Sequence, residues 1–279
     1  MERQSGANEP ARVWVGTSGY SYTGWVTAGF YPPDAKPGQL LSFYAKRFAL
    51  TELVQTWHQT PQASALELQR RQVPAGFLFC AKLCRSLTHE APTDLWREQA
   101  AAFRHGLAPL VQARQLAAVL IELPSWFDRS VANRRRLAEL LDELEGLPLA
   151  VEFRQGSWNT DRVFAELERR GVTLAALDAP DLPGLFPPLE VVTNPELFYV
   201  RFHGRNSRGW REEKKSAQFD YSYGENELRD WMEKRIVKLA GRTRQGIIVF
   251  NNHVHGQAPQ NALVMARLLK EYGFVLGKC

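Results

Sequence analysis

The sequence predicts an α/β fold, a single (β/α)8 TIM-barrel-like domain, and three observations predict it. Short β-branched or aliphatic runs recur eight times along the chain. All but one of the connections between them carry an amphipathic helical pattern. The runs are also almost continuously apolar, as strands covered by helices on a parallel sheet must be. Eight such units in 279 residues fit a closed barrel. An open doubly wound sheet is the rival architecture, but no GxGxxG follows any run and no mid-chain linker divides the sequence into lobes.

In chain order, strands are predicted over 12–17, 50–57, 77–83, 116–123, 149–154, 172–178, 197–203 and 246–252. Helical periodicity falls between them at 38–48, 61–71, 93–112, 129–144, 161–170 and 225–240, and a last helix follows at 259–272. Only the sixth connection lacks a clear helix, because 178–188 carries four prolines. Pro259 suits an early position of the last helix, where its missing N–H costs nothing.

Composition bounds the function. A hydrophobic content of 44% fills a substantial core and excludes intrinsic disorder. No apolar run approaches the ~20 residues of a membrane span. Residues 1–11 are polar and lack an apolar signal core, so they are expected to be a flexible tail ahead of one domain over 12–279. Three cysteines supply no disulfide framework, and the expected location is the cytoplasm. The net charge of +5 would help attract an anionic ligand or nucleic acid. Arg134-Arg135-Arg136 and Arg70-Arg71 sit in helical patterns with acids nearby, which predicts solvated helix faces.

The informative residues are polar side chains where apolar strands end, since the C-terminal strand ends of a barrel form its active-site mouth. They are Ser18, Glu52, Lys82, Glu122, Glu152, Arg154, Asp178, Arg201, His203, Asn251, Asn252 and His253. The N-terminal halves of the strands are almost wholly apolar. A buried unpaired charge is costly, so this asymmetry predicts a polar cluster that is internally paired or holds a ligand. Period-two alternation puts Glu152 and Arg154 on one strand face and pairs Arg201 with His203. Two arginines beside a carboxylate suit bidentate recognition of phosphate or carboxylate, although the same residues could form a buried ion-pair network. Lys82 is a candidate base or Schiff-base nucleophile, or an ion-pair partner of Glu52 or Glu122.

Other chemistries have weaker signatures. His253 and His255 invite a metal with Glu152, Asp178 and His203, but no HExxH or comparable spacing is present, so no metal residue is assigned. Cys80 and Cys84 share a face in the predicted third strand and are expected to be small buried hydrophobes. No GxSxG nucleophile elbow occurs. The aromatic loop from Tyr20 to Tyr31 would stack on a sugar or base, or cover the barrel rim. The start of the last helix offers amides to an anion.

The segments GTSGYSYTGW (16–25), FYP (30–32), TEL (51–53), GFLFCAKLCRSLTH (76–89), VEFRQGSW (151–158), LDAP (177–180), YVRFHGR (199–205) and VFNNHVHGQAPQNA (249–262) together resemble the domain of unknown function 72 family, also called YecE-like. The resemblance runs from about residue 12 to the C-terminus and implies a TIM-barrel-like fold with an unassigned activity. It carries the family's polar pocket over to Glu52, Lys82, Glu152, Arg154, Asp178, Arg201, His203, Asn251 and Asn252. The chain departs from the family pattern at Val54, His58 and Tyr20, and at Glu122, where an acid replaces a common Gln.

The expectation is an acid–base enzyme, a lyase, isomerase or hydrolase, acting on a small phosphorylated or carboxylated compound. Glu152, Lys82, Asp178 and His203 are its candidate catalytic residues. Glu52, Arg154, Arg201, Asn251, Asn252, Ser18 and Tyr20 are the candidate binding residues. No cofactor is expected, with a divalent metal the lesser alternative. The competing function is a nucleic-acid-processing or nucleic-acid-binding barrel that stacks a base on the aromatic loop.

Overall fold

A computed structural model of the chain describes residues 11–211 and 217–278. The expected tail therefore lies outside the described residues, except for Ala11, which is buried.

Eight parallel strands close into a barrel: β1 (Arg12–Ser18), β2 (Leu50–Leu53), β3 (Leu78–Lys82), β4 (Leu116–Glu122), β5 (Leu149–Glu152), β6 (Thr173–Asp178), β7 (Leu197–Phe202) and β8 (Gln245–Phe250). Neighbours pair in sequence order, and β1 closes the ring by pairing with both β8 and β2. Closure is uneven. β2 meets β1 only at Thr17↔Thr51 and Ser18↔Glu52, while the start of β1 pairs with a short β9 (Val275–Leu276). A two-residue strand carries no alternation, so β9 has no signature in the sequence.

Alternation divides the strand residues between two cores. Trp14, Leu50, Cys80, Leu120, Ala175 and Tyr199 fill the barrel lumen with their neighbours, while Val13, Phe79, Val119, Val151, Ala176 and Val200 pack outward against the helices. Gly16 is required at the β1–β2 seam, since a Cβ there would stand 2.1 Å from the Leu50 carbonyl oxygen.

The helices follow the expected order, with shifted ends. The last spans Gln257–Glu271, with Pro259 in its first turn. The region predicted as one helix over 225–240 is a continuous run in which a π-helical turn, Met232–Ile236, separates two α-helical pieces. Residues 179–196 contain no helix. The second strand is a correction: it ends at Leu53, and Gln55–His58 turns into a helix. Thr56 caps this turn by donating to the Leu53 and Lys82 carbonyls, which removes Trp57 from the sheet. Cys84 is a second correction. It lies past the end of β3 and joins the outer core, whereas Cys80 stays in the lumen. Among the described residues no helix is long and apolar enough to cross a membrane.

Candidate functional site

Inward parity at the C-terminal strand ends brings Ser18, Glu52, Lys82, Glu122, Glu152, Arg201, His203 and Asn251 to the mouth, with Arg154 just beyond β5. Arg201 is the hub. Its Nη2 donates to Glu52 at 2.8 Å, and its Nη1 to Glu122 at 2.8 Å and Glu152 at 2.5 Å. Glu52 also accepts from Ser18 at 2.5 Å and Tyr199 at 2.8 Å. Arg201, Glu52 and Glu152 are wholly buried. Both of the arginine's terminal nitrogens thus serve the protein's own carboxylates, and only its buried Nε lacks a partner. The ion-pair arrangement is the one observed for Arg201.

Nearer solvent, Lys82 Nζ lies 3.1 Å from Glu122, and Arg154 lies 3.4 Å from Glu122 and 3.2 Å from Glu152. Three carboxylates and three cations therefore balance. His203 completes the network, with Nε2 3.1 Å from Glu152 and Nδ1 3.0 Å from the Asn251 amide nitrogen. With Nε2–H donating and Nδ1 accepting, the ring is satisfied as the neutral tautomer.

The electrostatics follow from burial and neighbours. Burial opposes ionisation of Glu152, but Arg201 and His203 outweigh it and hold its carboxyl well below the usual range. Glu122 is lowered in the same way, as Arg154, Lys82 and Arg201 overcome its burial. Arg201 is raised well above its usual value by the three carboxylates, against its own desolvation. Burial lowers His203 below its ordinary 6.5 and keeps it neutral.

Aromatic side chains wall the mouth. Trp57 stands 5.3 Å from Lys82 Nζ, and Trp210 stands 5.3 Å from the Arg154 guanidinium. Each indole face thus backs one of the outer cations. Tyr22 stacks on His253 at 4.4 Å and donates to the Ser18 carbonyl. The indole nitrogens of Trp57 and Trp210 are buried without partners.

Three expected residues lie elsewhere. Asp178 shares the parity of Ala176 and faces outward, where it pairs with Arg205 at 2.6 Å; burial, opposed by that arginine, still raises its carboxyl above the ordinary value. Asn252 also faces outward and donates to Asn261 and the Tyr221 carbonyl. Tyr20 turns its hydroxyl to Gln69. Alternation carried the signal for the first two: each follows an inward residue and must point the other way. The same count would have found Tyr199, two residues before Arg201. Trp57 and Trp210 lie in the short helices Gln55–His58 and Ser207–Arg211 beyond the strand ends, where strand alternation predicts no direction.

Among the described residues no group of three His, Cys, Asp or Glu side chains is arranged to hold a metal ion. At the start of the last helix, Gln257 donates to Asp220 at 2.9 Å, so the chain's own acid stands there.

The family described as Protein of unknown function DUF72 matches residues 14–276. The UPF0759 protein YunF of Bacillus subtilis is 29% identical over 262 residues, which cover 88% of this chain and 93% of the relative. A DUF72 family protein of Thermotoga maritima is 34% identical and superposes with a TM-score of 0.84, covering 93% of this chain and 99% of the other. Another, from Enterococcus faecalis, is 25% identical with a TM-score of 0.83 over 92% of this chain and 95% of its own. Matched along almost its whole barrel, the chain belongs to the DUF72 family.

Proposed function

We propose that the protein is a cytoplasmic enzyme that acts by acid–base chemistry on a small phosphorylated or carboxylated compound at the barrel mouth. The observation that carries this reading is the division of the charge network into a sealed floor and an accessible edge. Arg201, Glu52 and Glu152 form the floor, at 0% exposure, whereas Lys82 and Glu122 reach 7% and the Arg154 side chain 11%. Arg154 and Lys82 hold the anion, and Lys82 also moves the proton. Glu152 has no proton to give near neutral pH and no exposed oxygen, so together with Glu52, Ser18 and Arg201 it positions the edge. His203 and Asn251 position Glu152. Asp178 and Asn252 brace the outer wall of the site.

The outer arginines support a small ligand over a nucleic acid. Arg70 and Arg71 share an ion pair with Glu67, Arg169 and Arg170 pair with Glu166 and Asp142, and Arg229 and Arg267 pair with Glu225 and Glu271. Such pairs interrupt a basic track that would follow a phosphate backbone. The test is calorimetric titration of the wild type and Lys82→Met with inorganic phosphate, sugar phosphates and small carboxylates. Saturable binding weakened at least about tenfold by the substitution supports the reading, a charged hydrogen bond contributing ~1.5–3 kcal/mol. Binding by none of the probes, or equal binding by both proteins, overturns it.

A further inference from the structure

The arginine triplet at 134–136 divides between two faces of its helix, Val131–Glu143. Arg136 donates to the Leu87 and Glu90 carbonyls. Arg134 turns the other way, into a cleft of about 350 Å³ between this helix and the next, Asp161–Arg169. Two more arginines line the same cleft, Arg129 just before the first helix and Arg162 in the first turn of the second.

These three arginines differ from the two at the far end of the second helix. Arg169 and Arg170 on the second helix are ion-paired, the latter to both Asp142 and Glu166. No carboxylate among the described residues pairs with Arg129, Arg134 or Arg162, and Arg129 Nε is buried with no partner at all. The nearby Asp128 carboxylate is turned away, accepting from Ser130 and Asn133. Both helices also start at this end, and the first, with no acid in its first turn, adds a positive helix terminus to the three guanidinium groups.

Polarity changes along the cleft. Below the open arginines its walls are Leu137, Leu141, Trp158, Val163 and Leu167, and at the far end Arg170 is closed off by its two acids. From Arg134 to Leu141 the helix rises ~10 Å. The cleft therefore offers a cationic head site, an apolar channel and a neutral end. Its volume falls in the ~300–1,000 Å³ range of small-molecule sites.

We infer that this cleft binds a small amphipathic anion, a phosphate or carboxylate carrying an apolar chain or ring, with the charged head on Arg129, Arg134 and Arg162. The site is separate from the barrel mouth and stands whether or not the mouth is catalytic.

Octyl phosphate tests it, with octyl glucoside as the neutral probe of the same chain length. Calorimetry is run on the wild type, on Arg134→Gln/Arg162→Gln, and on Arg135→Gln, which alters the same triplet outside this cleft. The expected result is one saturable octyl phosphate site that weakens at least about tenfold in the double variant. It stays unchanged in Arg135→Gln and in Lys82→Met, and octyl glucoside binds far more weakly. Absence of saturable binding to the wild type, or equal binding by the double variant, overturns the inference. So does loss of the site in Lys82→Met, which places the ligand at the mouth. Tighter binding of a single-stranded oligonucleotide than of octyl phosphate, lost in the double variant, overturns it in favour of a nucleic-acid contact.

Discussion

Glu122 decides how much positive charge the mouth can offer a ligand. It is ion-paired with Lys82 and Arg154 at the edge and accepts from Arg201 beneath, so an incoming anion competes with it for the two outer cations. Glu122→Gln keeps the shape and removes one negative charge. The expected outcome is tighter binding of phosphate-type ligands, by about tenfold for one restored charged contact, measured by calorimetry. Turnover, once a substrate is found, should fall, because Lys82 loses the carboxylate that orients it.

The same residues set the pH dependence of stability. His203 has a folded value below 6.5, so the unfolded chain binds a proton that the fold refuses. Its contribution is intact above pH 6.5 and declines as the pH falls below it, and His253, also lowered by burial, adds in the same direction. Glu152 and Glu122 have folded values below the ordinary 4.5, so their contribution is present above that pH and is lost as the pH falls towards the folded values. Thermal melts across pH should fall in two stages, and His203→Gln should diminish the first and, by removing a partner of Glu152, alter the second. An unchanged first stage in that variant would place the titration elsewhere.

At the scale of the strand, alternation carries most of what the sequence could reveal. It placed Glu152 with Arg154 and Arg201 with His203 on shared faces, and the mouth contains all four. Applied to Asp178 and Asn252 it points outward, which is where they lie. We expect Asp178→Asn to lower stability, because among the described residues Arg205 keeps only Glu227 as an acidic partner, while ligand affinity at the mouth stays unchanged. A large loss of affinity with an unchanged melt would return Asp178 to the site. The limits of β2 were not legible, because Val54 and Trp57 continue an apolar pattern and only a tertiary bond from Thr56 to the Lys82 carbonyl ends the strand. With β2 shortened to Leu50–Leu53, Glu52 is the penultimate residue of four and stands at the strand end. The seam beside it depends on Gly16. Gly16→Ala forces a Cβ against the Leu50 carbonyl and should cost at least about 1–3 kcal/mol, measured by denaturant unfolding; a neutral substitution would mean that the seam relaxes.

For the whole molecule, the repeated units made the barrel legible, because each strand and helix shows its own period and closure follows from their number. The site was legible only as a set of residue types at one end. Which arginine holds a ligand and which holds the fold depends on distances across the lumen, where residues 149 positions apart, such as Arg201 and Glu52, share a bond. Sequence spacing carries no trace of that contact. The aromatic walls were hidden for the same reason.

The central claim is that Arg201 belongs to a sealed floor and Lys82 to a ligand-facing edge. Ligand-dependent thermal melting of Arg201→Met and Lys82→Met beside the wild type tests it in one experiment, using whichever phosphate or carboxylate binds best. Arg201→Met leaves Glu52 without a cation and takes one partner from each of Glu122 and Glu152, and should lose about 3–5 kcal/mol of stability. Lys82→Met should melt near the wild type yet lose the ligand-induced upward shift. If Lys82→Met is destabilised as much as Arg201→Met and still shows the full ligand shift, the division of the network into floor and edge is wrong.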